Sequence, residues 1–116
     1  IYNNGTLGFV AMEMKAAGYL DFATDLENPD FAAMAETLGI RGYRVQESEA
    51  LESTLRSAFA EPGPVLVDVV TAKQELAMPP RIKAEQARGF SLFMLKAILS
   101  GRGDEIRELV RTNLLR

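Results

Sequence analysis

Two adjacent amides, a glycine and a hydroxyl stand near the start of the chain, as Asn3-Asn4-Gly5-Thr6. An Asn side-chain oxygen and a backbone carbonyl two residues later can share one octahedral Mg²⁺, a hard cation that takes oxygen ligands. If Ile1-Tyr2 ends a β-strand, this turn lies just past a strand's carboxyl end, where open α/β sheets bind ligands. The same four residues also read simply as a turn. Phe9 and Glu13 follow four residues apart, which puts them on one face of a helix. From spacing alone Phe9 reads as a core aromatic and Glu13 as a solvated helix residue. Asp68 is a lone carboxylate inside Val65-Leu66-Val67-Asp68-Val69-Val70. It reads as structural, capping or pairing locally.

The remaining inventory excludes much chemistry. The 116 residues contain no Cys, no His and no Trp. There is thus no disulfide framework, no thiolate metal site, no His-based triad and no imidazole base. Any metal must be a hard cation held by oxygen. With 47% apolar and 25% charged residues, the composition is that of a folded domain with a modest core. No apolar run approaches the roughly 18 residues of a membrane-spanning helix, and nothing resembles a signal peptide. The chain opens on Ile1-Tyr2 without an initiator Met, as expected of a segment cut from something larger.

Residues 1–80 carry five basic side chains (Lys15, Arg41, Arg44, Arg56, Lys73) against twelve acidic ones, whereas residues 81–116 carry eight basic against four acidic. A basic tail on an acidic body suits an anionic partner, such as a membrane surface or a nucleic acid, or else packing on the body itself.

Along the chain, a helix is expected from Leu7 to Lys15 with Phe9, Met12 and Ala16 recurring at helical spacing, ended by Gly18. Leu20 to Asn28 reads as a loop. Asn28-Pro29-Asp30 starts a second helix with an apolar stripe of Phe31, Met34, Ala35 and Leu38. Arg41 to Val45 reads as a strand. Ser48 caps a helix that turns Leu51, Leu55, Ala58 and Phe59 inward. Val65–Val70 has the composition of a buried parallel strand. This order implies an α/β layer with right-handed crossovers, the rest of the sheet lying upstream of Ile1. After Met78-Pro79-Pro80 a helix is expected from Arg81 to Ser100, with Phe90, Phe93, Met94, Ala97 and Ile98 on the helical template. Gly101-Arg102-Gly103 breaks it. Asp104 caps a last helix with Ile106, Leu109, Val110 and Leu114 on one side.

The turn Asn3-Asn4-Gly5-Thr6-Leu7-Gly8-Phe9 resembles the close of the thiamin-diphosphate motif, which opens Gly-Asp-Gly and ends in an Asn pair. The likeness continues through Val10-Ala11-Met12-Glu13-Met14-Lys15, Gly63-Pro64-Val65-Leu66-Val67-Asp68-Val69, Gly89-Phe90-Ser91-Leu92 and Ser100-Gly101-Arg102-Gly103-Asp104-Glu105. Over its whole length the chain resembles the C-terminal portion of the quinone-dependent pyruvate dehydrogenases, membrane-associated bacterial pyruvate oxidases. The resemblance implies a fold in two parts. Residues 1–80 would be the C-terminal part of a parallel-sheet thiamin-diphosphate-binding domain, and residues 81–116 a helical, membrane-associating tail.

It also implies site residues. Asn4, Gly5, Thr6, Leu7 and Gly8 would contact the cofactor, with the Asn4 side-chain oxygen and the Thr6 carbonyl on Mg²⁺. Phe9 and Glu13 would line the pocket between thiamin and flavin. The activating Glu, the Gly-Asp-Gly half of the motif and the FAD domain would lie outside this chain, so the segment alone would be inactive. The implied reaction decarboxylates pyruvate to acetate and CO₂ with the thiazolium as electron sink, and passes two electrons through FAD to a membrane quinone.

Such an enzyme, a homotetramer when full length, would sit in the cytoplasm on the inner face of the bacterial cell membrane. Phe90, Leu92, Phe93, Leu95, Ile98 and Leu99, with Arg107 and Arg111, would meet an anionic phospholipid surface. No nucleic acid is expected, since the chain lacks clustered Lys/Arg and a Gly-aromatic RNA motif. Two other readings remain: a soluble relative such as acetolactate synthase or oxygen-using pyruvate oxidase, and a non-catalytic α/β module with a basic tail.

Overall fold

Strand β3 (Val65–Val70) lies at the centre of a three-stranded sheet, between β1 (Tyr2–Asn3) and β2 (Arg41–Val45), and both neighbours run parallel to it. The structure is a computed structural model and describes residues 1–75 and 82–114. Met78-Pro79-Pro80, Arg81 and the Leu114 side chain lie outside the described residues, and with them the expected boundary near residue 80. The expectation of an α/β layer built on β3 is met, since a near-continuous apolar run suits a strand with neighbours on both sides. Arg41 pairs with Val65 and Arg44 with Asp68, while Asn3 of β1 pairs with Val70.

The chain divides into two compact units. The first, residues 1–5 and 27–71, holds the sheet with α2 (Phe31–Thr37) and α3 (Leu51–Ala60) packed on β2 and β3. Helix α2 starts where Asp30, after Pro29, accepts a hydrogen bond from the Ala33 N–H at 2.9 Å, an N-cap. Its buried residues are Ala32 and Ala35. Gly42 shows why: a Cβ there would stand 2.1 Å from the Ala32 carbonyl oxygen. Backbones this close leave room only for small side chains. The expected stripe is corrected accordingly, with Ala35 buried but Met34 and Leu38 exposed.

Ser48 opens a 3₁₀ turn (Ser48–Ala50) ahead of α3 and does not cap the helix directly. Leu51, Thr54 and Ala58 are the half-buried face of α3, at i, i+3 and i+7. Leu55 and Phe59, expected inward, lie on the neighbouring stripe, and Phe59 is 87% exposed.

The second unit comprises residues 6–26 and those from Ala72 onward, with α1 (Gly8–Ala16), α4 (Ala84–Leu99) and α5 (Gly103–Leu114). Its core is Phe93, Ala97 and Leu109, with Leu20, Phe90, Met94 and Ile106 packed against them. Helix α1 lies on α4 so closely that a Cβ on Gly89 would stand 1.9 Å from the Ala16 carbonyl oxygen. Gly101, at φ +77°, reverses the chain between α4 and α5. Asp104 falls inside the first turn of α5 and is not its cap, because the helix already begins at Gly103.

Candidate functional site

In the first unit the parallel register sets Arg44 directly opposite Asp68, and Arg44 Nη1 donates to Asp68 Oδ2 at 3.0 Å. From the other side Asn3 Nδ2 donates to the same oxygen at 3.5 Å. Asn28 Nδ2 donates to Asn3 Oδ1 at 2.9 Å, and Arg44 Nη1 stands 3.5 Å from Asp30 Oδ2. Since only Pro29 separates Asn28 from Asp30, the five polar side chains close a ring. The hydrogen bond from the Ala33 N–H, helped by the Arg44 charge, holds the Asp30 carboxyl below its ordinary pKa. Asn3 ends β1 and Arg44 is the penultimate residue of β2. The ring thus lies toward the carboxyl ends of these parallel strands, the edge at which open α/β sheets bind ligands. Asn4, half-buried, and Gly5 follow at once. Gly5 has φ +63°, a left-handed conformation that glycine adopts at little cost.

In the second unit Thr6 is buried, and its hydroxyl donates to the Thr24 carbonyl at 3.0 Å, as does the Leu7 N–H at 2.8 Å. Gly8 begins α1. Phe9 is 72% exposed, and Glu13 is exposed on the same face. The core reading that spacing alone gave Phe9 is therefore corrected: the buried residues of α1 are Ala11 and Lys15. Lys15 enters a charged cluster. Its Nζ lies 2.8 Å from Glu105, 3.7 Å from Asp21 and 2.9 Å from Gln74 Oε1. Arg102 pairs with both Asp21 and Glu105. Burial works to raise the Asp21 pKa, but the Arg102 hydrogen bond and the charges of Lys15 and Arg102 outweigh it, and the net shift is downward.

Residues 1–69 match the family described as thiamine pyrophosphate enzyme, C-terminal TPP binding domain. The chain belongs to the thiamine pyrophosphate enzymes. It is similar to YdaP of Bacillus subtilis (strain 168), named as a thiamine pyrophosphate-containing protein, with 36% identity over 112 residues, 97% of this chain and 19% of that protein. It is also similar to IlvX of Mycobacterium tuberculosis (strain H37Rv), named as an acetolactate synthase large subunit, with 40% identity over 80 residues, 60% of this chain and 15% of that protein. The mitochondrial acetolactate synthase catalytic subunit of Saccharomyces cerevisiae is 38% identical over 52 residues, 45% of this chain and 8% of the subunit. The chain thus spans at most about a fifth of these curated relatives.

The donors of this thiamine pyrophosphate domain fit its cofactor's metal in kind. Among the described residues no three His, Cys, Asp or Glu side chains gather as a metal site. The Asn4–Thr6 turn offers instead an amide oxygen and backbone carbonyls, the oxygen donors Mg²⁺ accepts.

Of the tail residues, Leu92, Leu95, Ile98 and Leu99 are exposed on α4, as are Arg107 and Arg111 on α5. Phe93 is wholly buried and Phe90 is half-buried against it, so the structure places both of these in the core of the second unit. No described helix is long and apolar enough to cross a membrane.

The sequence pattern did not single out Asn28, Arg44, Lys15 or Glu105. A signal for Arg44 existed: Asp68 in an apolar strand needs a cation, and Arg44 interrupts the other strand at a position that can face it.

Proposed function

We propose that this chain is the C-terminal segment of a thiamine-diphosphate enzyme that decarboxylates pyruvate oxidatively, to acetate and CO₂, and passes the electrons through FAD to a membrane quinone. Asn4 would give its side-chain oxygen, and Thr6 its carbonyl, to the Mg²⁺ that holds the cofactor diphosphate, with Gly5, Leu7 and Gly8 completing that contact. When bound, the cofactor supplies the electron sink for decarboxylation. Phe9 and Glu13, both exposed on α1, would face substrate and flavin held by the rest of the polypeptide. Phe9 would border the substrate and the electron-transfer path, and Glu13 would offer a polar group near the reacting carbons.

The observation that carries this reading is the outward row of apolar side chains on α4. Leu95, Ile98 and Leu99 are each more than half exposed, and Arg107 and Arg111 are exposed nearby in sequence on α5. An amphipathic helix with basic companions suits docking on an anionic bilayer, where a quinone resides. The match to the Bacillus subtilis protein runs through the tail, over 97% of this chain, so the tail is shared with that relative.

A second reading, acetolactate synthesis, is favoured by the names of the Mycobacterium tuberculosis and yeast relatives. Product analysis separates the two. The full-length enzyme, loaded with thiamine diphosphate, Mg²⁺ and FAD, is given pyruvate with and without a quinone. Acetate with flavin reduction and quinone turnover is the expected outcome. Acetolactate without net electron transfer would give the chain to the second reading.

A further inference from the structure

Five of the six residues of β3 are aliphatic, and the sixth, Asp68, has no exposure at all. A carboxylate so placed loses its hydration and must recover the cost locally. Only half of it does so: Oδ2 accepts from Arg44 and Asn3, while Oδ1 is buried with no hydrogen-bond partner among the described residues. Buried ion pairs are often no better for stability than apolar residues of similar volume. Packing therefore does not account for an acid here. What a carboxylate does at this position, and a valine cannot, is hold Asn3 and Arg44 at once.

Asn3 is the residue before Asn4, and it is held at several points. Its carbonyl accepts from the Thr71 N–H at 3.0 Å. Its amide Nδ2 is taken by Asp68, and its Oδ1 by Asn28. Arg44 carries the same ring on to Asp30, the cap of α2. The ring ties the end of β1 to the centre of the sheet and to the start of α2.

We propose that Asp68 is a positioning residue for the metal turn. Acting through Asn3, it fixes the direction in which the chain leaves β1 toward Asn4. It thereby sets the affinity for Mg²⁺ and thiamine diphosphate without touching the reacting atoms. This rests on Asn4 being a metal ligand, as proposed above. Groups that orient metal ligands from outside the coordination sphere commonly govern affinity by about 10–100-fold.

The test uses the full-length apoenzyme, titrated calorimetrically with thiamine diphosphate at fixed Mg²⁺ and with Mg²⁺ at fixed thiamine diphosphate. Wild type is compared with Asp68→Asn, Asn28→Ala and Asn4→Ala, and each apoenzyme is melted alongside. Asp68→Asn keeps the side-chain shape, and its dissociation constant is expected to rise about tenfold, with kcat unchanged at saturating cofactor. Asn28→Ala breaks the ring at an exposed residue without altering Asp68. It should move affinity the same way by a smaller factor and leave the apoenzyme melt unchanged. If Asp68→Asn and Asn28→Ala bind cofactor like wild type while Asn4→Ala binds poorly, the positioning role is overturned and the metal reading stands. If Asn4→Ala also binds normally, the metal reading itself has failed. Should Asp68→Asn not fold, Asn28→Ala decides alone: normal affinity there overturns the proposal.

Discussion

The Lys15 ammonium in α1 stands 2.8 Å from the Glu105 carboxylate in α5, with 5% and 10% of the two side chains exposed. The pair joins residues ninety positions apart in sequence and sits inside a larger cluster with Asp21, Arg102 and Gln74. Buried charges at this depth are tolerated because each has a partner.

Removing one partner should therefore be costly. Lys15→Met is expected to destabilise the protein by about 3–5 kcal/mol, the usual penalty for stranding a buried charge. The Asp104–Arg107 pair is a control, since its side chains are 96% and 86% exposed. Arg107→Ala should change stability by no more than about 1 kcal/mol. Urea midpoints for the two variants check this. Equal, small effects would mean that Lys15 is not held as the structure places it.

Acid should weaken the same cluster. Although burial opposes it, the Arg102 hydrogen bond and the neighbouring charges set the Asp21 pKa below its ordinary 3.8. A carboxyl whose folded pKa is depressed contributes stability that is present above the unfolded pKa and is lost as pH falls through the folded one. Stability is expected to decline from about pH 4 downward, and Asp21→Asn should decline less over the same interval. Urea midpoints between about pH 6 and pH 2 test this, and parallel curves for the two proteins would refute it.

Two glycines should behave very differently. A Cβ on Gly89 would meet the Ala16 carbonyl oxygen at 1.9 Å, whereas no atom of the described residues lies within 4 Å of a Cβ on Gly63. Gly89→Ala forces α1 and α4 apart, an overpacking strain of about 1–3 kcal/mol or more. Gly63→Ala is expected to be neutral within about 0.5 kcal/mol. Thermal melts of the two variants distinguish them.

How much of this was legible from residue types depends on the range of the interaction. Strand β3 was readable because a β-branched run between turn signals is local, and β2 was expected at its observed bounds, Arg41–Val45. The Asn3-Asn4-Gly5-Thr6 turn was readable as a motif. The burial pattern of α2 was not, because what selects Ala32 and Ala35 over Met34 and Leu38 is the close approach at Gly42, a tertiary constraint. Asp68 was visible as an anomaly, yet its meaning required the register that puts Arg44 opposite it and Asn3 beside it. Phe9 shows the converse. Helical spacing counted it toward a core, but it is 72% exposed, since an apolar period does not say which partner covers the face.

Leu92, Leu95 and Leu99 recur at i, i+3 and i+7 on α4, with Ile98 beside them, and all four are exposed. Phe93 points the other way, into the core with Ala97 and Leu109. Membrane contact and folding should therefore separate by residue. Full burial of each aliphatic side chain would contribute about 1.5–3 kcal/mol, less at an interface where burial is partial. Each nearby Arg adds about 1 kcal/mol on an anionic surface. Replacing Leu95, Ile98 and Leu99 together by Ser should abolish flotation of the full-length enzyme with anionic vesicles while leaving its melting temperature nearly unchanged. Phe93→Ala should do the reverse, lowering stability by about 3–5 kcal/mol. Vesicles of neutral lipid serve as the second arm, and flotation there should be weaker for wild type. If the triple variant floats like wild type on anionic vesicles, the outward face of α4 is not the membrane contact.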